Sequence, residues 1–151
     1  MDTPARTLEE ALQRTRAVLL PGAFGVVGLP PGAGPDLGRL LAGPPPRQVV
    51  HEVDEVTFLG PWEEAQALGG AVAGPFAWLR FETPMAWELV GFLGAVTAAL
   101  AGEGISLGAV CGYSRDHLFV PWDRRLDALA ALARLGIGSG TPAGGEEASG
   151  S

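Results

Sequence analysis

Lysine and asparagine are absent from this 151-residue chain, and cysteine and tyrosine occur once each. All ten basic residues are therefore arginine, a bias of composition that carries no mechanism by itself. The single cysteine, Cys111, excludes an internal disulfide framework and a multi-cysteine zinc site, and it suits a reducing compartment. Positive charge is scarce as well. With a net charge of −7, no basic stripe is available to neutralise several phosphates, so nucleic-acid binding is not expected.

Long hydrophobic runs are also lacking. Leu89 to Ala101, thirteen residues without a charge, is the one suspect for a membrane span. A crossing helix needs about 20, so no membrane span is expected and a buried core helix is. The opening MDTPARTLEEALQR has carboxylates and no apolar run beside a cleavage site, which is unlike a secretory signal and points to the cytoplasm. Hydrophobic residues make up 47% and charged ones 18%, a globular composition with length enough for one domain or two small fused ones.

Along the chain, Thr7-Leu8-Glu9-Glu10 reads as a capping box. Leu8, Ala11, Leu12, Thr15 and Leu19 then share one helical face until Pro21-Gly22. Ala23 to Leu29 reads as a buried strand and Asp36 to Leu41 as a short helix. Arg47 to Val53 and Glu55 to Leu59 form a hairpin turning near Asp54, and Trp62 to Leu68 a short helix. From Phe76 to Glu82 the pattern has period two: Ala77, Leu79 and Phe81 face one way, Trp78, Arg80 and Glu82 the other. A helix is expected from about Ala86 to Gly102, with Gly91 and Gly94 inside it compensated by close packing. Strands follow at Ile105 to Gly112 and His117 to Val120. A last helix spans Asp123 to Leu135, with Asp123 as N-cap, a stripe of Leu126, Leu129, Ala130 and Ala133, and Gly136 closing it. Beyond Gly138 a flexible low-complexity tail is expected.

No catalytic constellation emerges. Cys111 has no adjoining histidine and reads as core filler, and His51, His117 and Cys111 lack the close spacing of metal ligands. Gly32-Ala33-Gly34 lacks both the GxGxxG continuation and the Walker lysine, so no phosphate loop is assigned. The chain is expected to be no enzyme, with neither cofactor nor metal. Asp116 either binds a cation or caps the turn between two strands.

The order strand, helix, strand, strand, helix from Phe76 to Leu135 is a split βαβ lacking its last strand, and Ala23 to Leu68 gives a degraded version. Thr83-Pro84-Met85-Ala86-Trp87-Glu88-Leu89-Val90-Gly91-Phe92-Leu93, then Gly104-Ile105-Ser106-Leu107, then Ala109 to Val120 resemble the small tandem ACT-domain proteins, relatives of cytosolic arginine sensors. The resemblance implies an α+β, ferredoxin-like fold of ACT-type βαββα units, with an antiparallel sheet, helices on one face and two fused half-units. The two units are a degenerate first one (21–74) and a second (75–137), preceded by an N-terminal helix (1–20) and followed by the tail (138–151). It further implies a regulatory module binding an amino acid, with ligand contacts at Met85, Gly91, Ile105, Tyr113, Ser114 and Asp116, and a homo-oligomer or partner protein. An interaction domain of the same fold without a ligand is the alternative, since Ala86, Glu88 and Val90 stand where the family carries Asp, Ser and Thr.

Overall fold

The computed structural model describes residues 3–32 and 36–142. Ala33-Gly34 of the glycine-rich segment and residues 143–151 of the tail lie outside the described residues. The chain divides into a central unit, Gly22–Phe76, and a flanking unit built from Met1–Pro21 with Ala77–Ser151.

In the central unit the elements run β2 (Phe24–Leu29), α2 (Leu37–Leu40), β3 (Gln48–His51), β4 (Val56–Pro61), α3 (Trp62–Ala67) and the first half of β5 (Ala71–Phe81). The sheet order is β3-β4-β2-β5, all antiparallel, with Val27 opposite Phe58 and Val72. This is a complete βαββαβ pattern: the start of β5, hidden by Gly74-Pro75 in the sequence, serves as the fourth strand. Val27, Leu29, Leu40, Val56, Phe58 and Ala65 form the core. Asp36 caps α2 by accepting from the Gly38 amide at 3.0 Å.

The flanking unit contains α1 (Leu8–Arg14), β1 (Arg16–Leu19), the second half of β5, α4 (Phe92–Gly102), β6 (Gly108–Cys111) and β7 (Asp116–Pro121). A turn of 3-10 helix (Trp122–Arg124), α5 (Arg125–Ala133) and β8 (Gly138–Gly140) complete it. Its sheet runs β6-β7-β5-β1-β8. The fourth position, vacant in the sequence reading, is taken by β1, antiparallel to β5 with Ala17 opposite Phe81. β8 lies outside it, parallel to β1. Ala77, Leu79 and Phe81 pack with Val96, Leu100, Leu118, Val120, Ala128 and Leu132 in the larger core, so one sheet face is covered by the helices. On the other face Trp78 stacks edge-on with Phe119, ring centroids 4.6 Å apart.

Several expectations are corrected. Thr7 caps α1, with the Glu10 amide donating to Thr7 Oγ1 at 3.2 Å, but the Glu10 carboxylate accepts from the Arg6 amide rather than from the cap's own N–H, α1 stops at Arg14 and residues 16–19 are a strand. Ala17 and Val18 are both buried although they point to opposite faces, which a surface helix would not allow. The tail does not begin at Gly138, because 138–140 pair with β1. On α5 the buried stripe is Ala128, Ala131 and Leu132, whereas Ala130 and Ala133 are exposed. Asp123 is no N-cap: it lies inside the 3-10 turn that precedes α5.

The two units share backbone detail at a spacing of sixty residues. β4 ends in Pro61 at φ −52, ψ 138 and β7 in Pro121 at φ −51, ψ 138, each followed by a tryptophan that opens a helix. Both hairpins close the same way, with Glu52 N–H donating to Glu55 O and Gly112 N–H to Arg115 O, each at 2.9 Å. The Pro-Trp pair is a repeat visible in the sequence that the strand-and-helix reading passed over.

Candidate functional site

Residues 82–91 link β5 to α4 without helix, and the hydrogen bonding explains why. Thr83 N–H donates to the buried Thr15 Oγ1 at 3.3 Å, Ala5 N–H to Pro84 O at 2.9 Å, and Ala86 N–H to Ala5 O at 2.8 Å. Met85 N–H donates to Ser114 O at 2.8 Å. Amides and carbonyls committed outward in this way cannot continue an α-helix. The helix expected from Ala86 therefore begins only after Gly91. Gly91 adopts φ +99, a conformation in which a side chain would be strained, and its carbonyl accepts the Ala95 amide at 2.9 Å. Gly94 faces open space rather than a close neighbour, so packing does not account for it. Glu88 lies in the linking segment, not in a helical first turn.

The first turn of α4 has no side-chain cap and no acidic residue. Its amides carry the positive end of the helix dipole. Facing it is the turn between β6 and β7. Together they enclose a depression of about 240 Å³, lined among others by Met85, Gly91, Gly94, Cys111, Tyr113 and Asp116. Trp87, Leu89, Phe92 and Leu93 supply apolar wall. Arg115 also borders it, although its Nε is engaged with Glu82 O at 2.7 Å.

The electrostatics of this wall are uneven. Burial pushes the Asp116 carboxyl above the ordinary carboxylate value, and the Cys111 thiol beside it pulls the other way. Partial desolvation of the sulfur, on a residue otherwise exposed, then a hydrogen bond to Asp116 and its charge, push the Cys111 thiol up. The thiol is thus held protonated and is a poor nucleophile. Cys111 is exposed rather than core filler, because the short β6 is the outermost strand on its side of the sheet. The next residue along β7, His117, faces the other way: its Nδ1 accepts from Trp78 Nε1 at 2.9 Å. Burial, with Arg80 and Arg115 adding to it, pulls the His117 pKa down.

Of the six residues the sequence singled out, Met85, Gly91, Tyr113, Ser114 and Asp116 border this one depression. Ile105 does not: it is buried in the core, its amide donating to Leu100 O at 3.0 Å. Trp87, Leu89, Cys111 and the first turn of α4 also line the depression and were not singled out. A glycine just ahead of an uncharged, uncapped helix was the signal for the last of these. Among the described residues no three His, Cys, Asp or Glu side chains could hold a metal ion. No described helix is long and apolar enough to cross a membrane. The depression thus combines an anion-favouring helix end, a half-buried carboxylate and an apolar wall.

These features define a fold class, the α+β proteins of ferredoxin-like units. Residues 74–134 match the family model of the ACT domain, a stretch that contains the whole Thr83 to Val120 resemblance. No curated protein sequence matches the chain. In structure it is similar to a protein of Agobacterium tumefaciens, at 20% identity, TM-score 0.73 and coverage of 89% of this chain and 98% of that one. A Vibrio cholerae protein of unknown function, described as a possible transport protein, is 26% identical with a TM-score of 0.68, over 83% of this chain and 92% of that one. The regulatory subunit of aspartate kinase from Thermus flavus is 14% identical with a TM-score of 0.54, over 80% and 95%. Identities this low bear on the fold. The chain is an α+β protein of ferredoxin-like units in which residues 74–134 are similar to the ACT domain.

Proposed function

We propose that the chain is a non-catalytic regulatory module that binds an amino acid in the depression between the start of α4 and the β6–β7 turn. One observation carries this reading: an uncapped helix N-terminus and a half-buried, unneutralised carboxylate line the same small depression. An α-carboxylate suits the first and an α-ammonium the second. Met85, Leu89 and Trp87 leave an apolar wall for the side chain. A reducing, cytoplasmic setting is consistent with the exposed Cys111 thiol.

A second reading is an interaction domain of the same fold that works without ligand, as a homo-oligomer or with a partner protein. It is favoured by Trp87, Val90 and Tyr113, all strongly exposed, with Tyr113 at 90%. Thermal unfolding against all proteinogenic amino acids separates the two. A ligand at a hundred times its dissociation constant stabilises by about 2.7 kcal/mol, a rise of roughly 5 to 10 °C for a domain of this size. A rise confined to one amino-acid class supports the sensor. A flat panel, with self-association by sedimentation that Trp87→Ser abolishes, supports the interaction domain.

A further inference from the structure

We propose that the central unit carries a binding site of its own, for a small monocarboxylate with an apolar tail, in the opening between α2 and α3. The two helices have only four and six residues, against eleven and nine for α4 and α5 in the flanking unit. Helices this short cannot roof a four-stranded sheet, and a depression of about 300 Å³ remains. Leu40, Phe58, Ala67 and Leu68 line it, with Arg39 and Glu64 at its rim.

The charges at the rim are not equivalent. Glu64 is held by a two-point contact with Arg47, whose Nη2 reaches Glu64 Oε1 at 2.7 Å and whose Nη1 bonds Oε2. Arg47 is itself anchored by Nε to Pro44 O at 2.9 Å and by Nη1 to Leu40 O at 3.3 Å. That carboxylate is already neutralised. Arg39, by contrast, is exposed and forms no ion pair or side-chain hydrogen bond among the described residues. The mouth therefore presents one uncommitted guanidinium above an apolar floor, on a protein whose net charge is −7. An apolar tail removes floor from water while a carboxylate meets a planar fork of donors. An ammonium or a zwitterion would set a cation against Arg39, so the occupant differs from that of the depression by α4.

The test uses the full ¹⁵N-labelled chain titrated with octanoate, octan-1-ol and octylammonium, followed by amide shifts. Octanoate is expected to move Leu40, Phe58, Ala67 and Leu68 saturably, and Arg39→Gln to weaken it about tenfold, as for loss of one charge-assisted hydrogen bond. Ala67→Trp, at an exposed position that tolerates size, is expected to abolish the shifts with the spectrum otherwise intact. Octan-1-ol binding as tightly as octanoate would overturn the proposal. So would an unchanged affinity in Arg39→Gln, or shifts confined to residues 85–94 and 111–116. The proteinogenic panel reads the other site, so either proposal can fail alone.

Discussion

Asp116→Asn removes one charge and almost no volume from the wall of the α4 depression, which lets binding and stability be read apart. In the folded chain burial holds this carboxyl above its usual value. The native state thus binds a proton more tightly than the unfolded chain does. Stability from this group is present below the ordinary carboxylate pKa and is lost as pH rises through the raised one. At pH 7 the ionised side chain is a net cost of folding. It is only half-buried, so solvent screens it and the cost is small. Without ligand, Asp116→Asn should leave the unfolding midpoint equal to wild type or raise it slightly. Binding should move the other way. Losing a charge-assisted bond to an ammonium costs about 1.5 to 3 kcal/mol, a loss of roughly 10- to 150-fold in affinity. A ligand dose that stabilises wild type by about 2.7 kcal/mol is, after a 50-fold loss, only twice the dissociation constant and stabilises by about 0.6 kcal/mol. Scanning fluorimetry with and without ligand gives both numbers. A midpoint several degrees below wild type without ligand would mean that Asp116 holds the turn together, and unchanged affinity would remove it from the site.

Trp78 Nε1 can only donate, so His117 must present a lone pair at Nδ1, and protonation there breaks the bond. With the folded pKa lowered by burial and by Arg80 and Arg115, the unfolded chain takes the proton first. Stability should fall as pH drops below about 6.5 and level off below the lowered value; a midpoint flat from pH 7 to 5 would refute this. Arg47→Met should cost about 2 to 3 kcal/mol in urea denaturation, since the Arg47 side chain is 5% exposed and serves two carbonyls besides Glu64; Glu64→Gln, at 50% exposure, should cost about 1 kcal/mol. Leu79→Ala, at 0% exposure in the larger core, should cost about 2 to 5 kcal/mol, while Leu126→Ala at 65% should change stability by less than about 0.5.

What could be read from the sequence was local. The period of two from Ala77 to Phe81, the Thr7 cap and the turn near Asp54 each rest on neighbouring residues, and each sits where those residues put it. The failures had long-range causes. Leu19 continues the helical phase of Leu8 and Leu12, yet residues 16–19 are extended because β5 and β8 offer ladders on both sides. The start of α4 slipped from Ala86 to Phe92 because Ala5, Thr15 and Ser114, all distant in sequence, take the hydrogen bonds of residues 83–86. Asp116 and Tyr113, which border the depression, come from the family resemblance, whereas Cys111 beside them reads as core only when its burial is judged by residue type.

The two units keep the same hairpin and the same Pro-Trp corner but differ in helix length, and that difference bears on where ligands can sit. In the flanking unit α4 is long enough to bury Phe92, Val96 and Leu100 along one stripe, which fixes its first turn opposite the β6–β7 turn. A dipole contributes at a defined point only when the helix carrying it is held rigidly by packing. In the central unit α2 has one turn, its first amides are partly satisfied by Asp36, and no comparable anion-favouring end is left. The short α2 and α3 leave sheet uncovered instead, and the opening there is lined by Leu40, Phe58, Ala67 and Leu68. Unequal helix length on one element order thus accounts for two depressions with different linings, the first proposed above for a zwitterion and the second for an amphiphilic anion.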